Sequence, residues 1–341
     1  MEKMAVRQER PLSGLILCVG VGFAAWAMGE YIPTVGKLVG GPVFAILIGM
    51  VLAFWKRPAC FEAGIKFSGK KILQYSIIFI GFGLNIGAVL RTGSQSLAVM
   101  LCTIAVSLVT AYFAGRALKV AGNTAILIGV GTSICGGSAI AATAPVIDAD
   151  DREVAYSIST IFLFNILAVF LFPAMGRAFG MTDQGFGMWA GTAINDTSSV
   201  VAAGYAFSDA AGDFATIVKL TRTLMIIPIT LVLAFWRTTR VKCAGGAEEN
   251  SFSLKRIFPW FVIGFLVAAV LNSTGIFPTA LMGALNWLGK FGIMVAMAGI
   301  GLNTNVKSLF KNGLRPISLG LCCWIAVAAV SLVVQRLLGL L

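Results

Sequence analysis

Apolar residues run through this chain in long blocks separated by short polar or basic stretches. The blocks cover about 12–29, 40–55, 68–86, 95–115, 121–149, 154–176, 184–208, 213–236, 257–274, 279–302 and 316–338. Most approach the roughly 20 residues that carry a helix across a bilayer. The pattern predicts an all-α polytopic membrane protein with about 9–11 membrane segments. Two blocks are interrupted near their middles. The first break reads Gly131-Thr132-Ser133-Ile134-Cys135-Gly136-Gly137-Ser138, and the second Gly191-Thr192-Ala193-Ile194-Asn195-Asp196-Thr197-Ser198. The apolar arms on either side are too short to span alone. Each block is therefore expected to be a discontinuous helix, broken or re-entrant, and the two breaks share Gly, Thr, Ile and Ser at matching places.

A second echo lies further apart. Gly81-Phe82-Gly83-Leu84-Asn85 and Gly299-Ile300-Gly301-Leu302-Asn303 each close an apolar run and precede a basic loop. Such distant self-similarity points to two related halves in one integral membrane domain over 1–341, with a first repeat region at 40–178 and a second at 184–341. Loop charge sets the orientation. Lys3, Arg7, Arg10, Lys56, Arg57, Lys66, Arg116, Lys119, Arg237, Arg240, Lys242, Lys255, Arg256, Lys307, Lys311 and Arg315 collect on one side, and little more than Lys37, Arg91 and Arg336 on the other. The positive-inside rule then puts the N-terminus in the cytoplasm, with 238–255 as a cytoplasmic linker. Asn85 would end its helix outside and Asn303 inside, which makes the copies inverted, the arrangement behind alternating access. One ordinary helix separates the two breaks. Full crossings would make them run in the same direction, and opposed hairpins would invert them. Charge does not choose, and the reading favours opposed segments meeting near the midplane.

Composition narrows the class. The 341 residues are 58% hydrophobic and 12% charged, which excludes a soluble domain. The net charge of +12 sits in short loops, so the expected partner is the lipid bilayer and not nucleic acid. Seven scattered Cys and no His leave no metal-ligand spacing, so neither metal nor cofactor is expected. A proton relay would need Asp, Glu or Lys. Without a nucleophile–base pair or a metal cluster in the apolar runs, an enzyme is not expected. Met1 to Arg10 reads as the flank of a first anchored helix, since no small-residue cleavage site follows.

The candidate chemistry gathers at the breaks. Non-helical backbone in a bilayer is tolerated where protein or water satisfies it, so the breaks suggest a cavity. Gly136 and Gly137 let the backbone turn. Ser133, Ser138, Thr197, Ser198 and Ser199 offer hydroxyls, Asn195 an amide, and each second arm begins with helix N-terminal donors suited to an anion. Ordinary packing of small residues is the plainer alternative. Asp196 is an ionisable group inside an apolar run and defaults to a functional role. Lys219 and Arg222 follow on one helix face. Asp196 either pairs with one of these cations, leaving the other for an anionic substrate, or binds a coupling cation such as H⁺ or Na⁺. A buried ion pair that only locks two helices is the structural alternative. Asn85 and Asn303 line the cavity or cap helix ends, Cys135 reads as a small filler, and Asn165 as an interhelical hydrogen bonder.

These motifs carry a family resemblance over most of the chain. Gly131 to Ala142, Gly191 to Val200 and Gly83-Leu84-Asn85 resemble the YeiH-type family, described as sulfate exporters within the cation/proton antiporter and anion transporter superfamily. The resemblance implies a scaffold panel, a mobile core with two discontinuous helices, and dimerisation through the panel. Bile-acid and sodium symporters of that superfamily have Cys-Pro-Gly-Gly at the comparable break. Here Gly136 follows Cys135 directly, and no sodium site is carried over. The expected function is secondary transport of a small inorganic or organic anion by alternating access, with substrate at the breaks. The alternative is cation/proton antiport with Asp196 as carrier.

Overall fold

Long uninterrupted apolar runs without Pro or charge favour helix, because every backbone group is then bonded within its own segment. The computed structural model describes residues 12–31, 41–55, 57–225, 229, 260–304 and 314–340. All regular structure among them is helical. The expected linker at 238–255, the N-terminal basic stretch, and Asn305, Lys307 and Lys311 lie outside the described residues.

The elements are α1 (Leu12–Tyr31), α2 (Gly41–Leu52), α3 (Glu62–Phe67), α4 (Leu73–Gly81), α5 (Ile86–Ala117), α6 (Gly122–Ser133), α7 (Gly137–Thr143), α8 (Asp151–Ala178), α9 (Asp183–Ala193), α10 (Thr197–Phe207), α11 (Asp209–Leu224), α12 (Trp260–Ser273), α13 (Thr279–Asn303) and α14 (Leu314–Leu337). A π-helical turn at Ser68–Ile72 joins α3 to α4. Each of the eleven apolar blocks contains helix within its described residues. Among the described residues, five helical stretches are long and apolar enough to cross a membrane, namely Leu12–Tyr31, Ile86–Ala117, Arg152–Ala178, Thr279–Asn303 and Leu314–Leu337.

The chain divides into two compact units. The first comprises Met1–Asn85 and Gly264–Asn305, and the second Ile86–Ile263 and Val306–Leu341. In the first unit, α13 packs along α2 and α4, and the second glycine echo lies at the α2 contact. A methyl group at Gly49 would stand 2.6 Å from the Ala298 carbonyl oxygen and 3.0 Å from the Gly301 Cα. The two backbones thus touch where neither residue has a side chain. The Arg57 guanidinium donates to the Leu302 carbonyl at 2.8 Å and closes the end of α13. Asn85 stands just before α5 and Asn303 is the last residue of α13, and both are exposed.

In the second unit, α11 packs along both α9 and α10, α14 packs on α5, and α6 lies against α5 and α8. Its core centres on Trp189, whose ring stacks on Phe172 at 4.2 Å and whose Nε1 donates to the Ala328 carbonyl on α14 at 3.0 Å. The acidic stretch before α8 is a helix start. Asp150 accepts from the Glu153 backbone N–H at 2.7 Å, and the Glu153 carboxylate accepts from the Asp150 N–H at 3.1 Å, a reciprocal capping box.

Candidate functional site

Both breaks lie in the second unit, and the backbone leaves the helix at each. Helix α6 stops at Ser133, Ile134 takes φ −122° and ψ −92°, and Gly136 takes φ +69° before α7 begins. A residue with a Cβ is strained at that φ, which explains the glycine. Helix α9 stops at Ala193, Ile194 is extended with ψ 135°, and α10 starts from Asp196. With 12 and 11 residues, α6 and α9 are each about 16–18 Å long at 1.5 Å per residue. That is roughly half of a ~30 Å hydrocarbon core. The breaks lie close together. A methyl group on Gly136 would lie 3.3 Å from Ile161 Cγ2, 3.6 Å from Asn165 Nδ2 and 3.7 Å from Asp196 Cβ.

Ending two helices inside a core leaves their last carbonyls without partners. Helix α11 supplies them. Lys219 and Arg222 are fully buried. Lys219 Nζ donates to the Ile134 carbonyl at 2.7 Å and to the Ile194 carbonyl at 3.0 Å, one from each break. Arg222 donates from Nε to the Ser133 carbonyl at 2.7 Å, from Nη2 to the Thr132 carbonyl at 2.8 Å, and from Nη1 to the Thr192 carbonyl. Cations at helix C-termini meet the negative end of the dipole, so each bond is charge-assisted in a favourable field. Spacing of three residues puts both on one face of α11, and that face reaches both helix ends.

This corrects the expected pairing of Asp196 with Lys219 or Arg222. Among the described residues no ion pair joins them, because each group has another task. The cations cap α6 and α9, and Asp196 caps α10. Asp196 Oδ2 accepts from the Ser198 N–H at 2.9 Å and from the Ser198 hydroxyl, while the Asp196 N–H donates to Asn165 Oδ1 at 3.2 Å. Arg222 likewise does not hold its guanidinium open toward a substrate, since Nε, Nη1 and Nη2 all serve backbone oxygens.

Other expected residues divide. Ser133 is buried, but its hydroxyl turns back to the Val130 carbonyl at 3.0 Å. Cys135 and Gly136 are buried at the first break, Gly137 is half-buried, and Ser138 is exposed. Thr197, Ser198 and Ser199 are buried in the first turn of α10. Asn195 is 1% exposed, and neither atom of its amide has a partner among the described residues. An unsatisfied buried amide is costly and is a usual mark of a place that receives a ligand or water. Asn85 and Asn303 belong to the first unit.

Sequence reasoning missed a polar chain feeding the second break. Gln335 Nε2 donates to the Ser331 hydroxyl at 3.0 Å, and Ser331 lies 2.7 Å from the Thr192 hydroxyl, all three residues being fully buried. Thr192 is the residue whose carbonyl accepts from Arg222. The available signal was the four-residue spacing of Ser331 and Gln335 inside the 316–338 block. It also missed the unpartnered Thr132 hydroxyl beside the first break.

The same sequence pattern recurs in other chains. The profile of the family described as "Conserved hypothetical protein 698" matches residues 13–320. A UPF0324 membrane protein of Fusobacterium nucleatum is 45% identical, over 96% of this chain and 99% of the relative. One from Streptococcus mutans is 48% identical, over 96% of this chain and 98% of the relative. One from Streptococcus agalactiae is 47% identical over 97% and 98% respectively. The YeiH-type resemblance carried by the two breaks therefore holds, and the chain belongs to the UPF0324 family of membrane proteins.

Proposed function

We propose that this membrane protein is a secondary active transporter of a small anion, sulfate-like, sulfonate or carboxylate. It works by alternating access of an elevator type with the substrate site at the two breaks. The observation that carries the reading is a charge imbalance at that place. Two fully buried cations, Lys219 and Arg222, stand against one carboxylate, Asp196, where two helices are interrupted. Their N–H groups serve carbonyls, so an anion would feel their field while taking its direct hydrogen bonds elsewhere. The donors left for it are Asn195 Nδ2 and the hydroxyls of Thr197 and Ser199 at the start of α10. Low local dielectric makes that field far stronger than in water.

The proposal includes a bacterial inner-membrane location, a cytoplasmic N-terminus, inverted repeats, a homodimer, and coupling to H⁺ or Na⁺. The second reading, cation/proton antiport, rests on Asp196 as the only acidic residue within either break. A thermal-shift screen of purified protein against sulfate, small sulfonates and carboxylates separates the two, because ligands of the folded state raise its melting temperature. The test compares wild type with Asp196→Asn. For an anion carrier, an anion stabilises both proteins, and the variant at several-fold lower concentration because a nearby negative charge is gone. For an antiporter, no anion stabilises either protein, and Asp196→Asn abolishes ion exchange in proteoliposomes.

A further inference from the structure

We propose that Lys219 is a tethered cation that fills a carbonyl-lined cation site between the two breaks, so that no alkali-metal cation binds there in the working protein. The carbonyls of Thr132, Ser133 and Ile134 from one break and of Thr192 and Ile194 from the other converge on the side chains of α11. Carbonyl oxygens freed by unwound backbone at the negative ends of two half-helices are what a hard monovalent cation binds within a membrane protein. Here the protein supplies that charge itself. The ammonium is compact and carries three donors on a flexible stem. Its contacts at 2.7 and 3.0 Å go to one oxygen of each break, as a bridging metal ion's would. Arg222 takes the three oxygens further back, so each of the five already accepts from a side-chain cation.

Two other features agree. Lys219 has no carboxylate partner within ion-pair distance among the described residues, so its position is set by the carbonyls and not by a salt bridge. Asp196, the other group suited to a cation, has Oδ2 engaged by the first turn of α10. The inference concerns the occupant of these carbonyls and extends the transport reading only in its consequence. If the chain transports, its coupling at this place is to something other than Na⁺, and Lys219 is the residue that sets this selectivity. The binding test needs no substrate and so can fail or succeed independently of anion transport.

The experiment compares thermal unfolding of purified wild type, Lys219→Ala and Lys219→Gln in chloride salts of Na⁺, Li⁺, K⁺, choline and methylammonium at equal ionic strength. Wild type is expected to melt at the same temperature in all five. Lys219→Ala is expected to melt lower in choline and to recover through a saturable shift in Na⁺, Li⁺ or methylammonium, ions small enough for the vacated position. Lys219→Gln, whose amide replaces a single donor, is expected to show a smaller shift of the same selectivity. A saturable Na⁺-specific stabilisation of wild type overturns the proposal whatever the variants do. So does a folded Lys219→Ala that is indifferent to all five cations. If Lys219→Ala does not fold in any salt, Lys219→Gln is held to the same two criteria.

Discussion

The two breaks are closed alike on one side and differently on the other. On the C-terminal side of each first arm, α11 places a cation on the buried carbonyls that the helix leaves without partners. On the N-terminal side of each second arm the solutions diverge. Helix α10 begins from Asp196, whose carboxylate takes the first-turn donors. Helix α7 begins after Gly136 at positive φ and has no acidic cap. The first break therefore turns by glycine geometry and the second by a charged side chain. Positive charge is shared between them, whereas negative charge belongs to the second alone.

Breaking the shared half should have the largest effect. Arg222→Ala removes three charge-assisted bonds that hold both breaks, at about 1.5–3 kcal/mol each. It should yield little monodisperse protein in size-exclusion chromatography. Arg222→Lys should restore part of the yield, because a point ammonium cannot reach three oxygens in a fixed fork. Equal yields of Arg222→Ala and wild type would remove the capping role. Next comes the difference in turning. Gly136→Ala forces a side chain into φ +69° against Ile161 and should cost about 1–3 kcal/mol in thermal or chemical unfolding. Asn195→Ala, in the second break, removes an unpartnered buried amide and should leave stability unchanged or raised. The same variant should weaken stabilisation by any anion that the wild type binds. Ser331→Ala should lower stability by about 1 kcal/mol, the size of one buried hydrogen bond. Smallest is Asp196→Asn, since Asn is as good an N-cap as Asp and the expected cost is a few tenths of a kcal/mol. A loss as large as that from Gly136→Ala would mean that the charge on Asp196 holds the second break together.

Much of this was legible in the chain because a membrane helix has one requirement, continuous apolarity. Any small polar interruption stands out against it, so both breaks, the eleven blocks and the face shared by Lys219 and Arg222 could be read directly. What the cations touch could not. A Lys and an Asp buried in apolar sequence suggest a salt bridge, and carbonyl oxygens, which every residue carries, leave no mark by which to prefer them. The Gly-Leu-Asn echo held a packing role that its asparagines did not announce. Its asparagines drew attention as polar groups, yet it is Gly301 that meets Gly49 in the first unit, while Asn85 and Asn303 face outward. The chain from Gln335 through Ser331 to Thr192 was hidden because its three members come from two helices over a hundred residues apart in sequence.

Thr192 belongs to three partners at once: its own helix, α14 through the hydroxyl of Ser331, and α11 through Arg222. A residue held from three directions shifts alone only by giving up those bonds. Displacing the second break without α11 and α14 would break these bonds, so the three helices are coupled at that one residue.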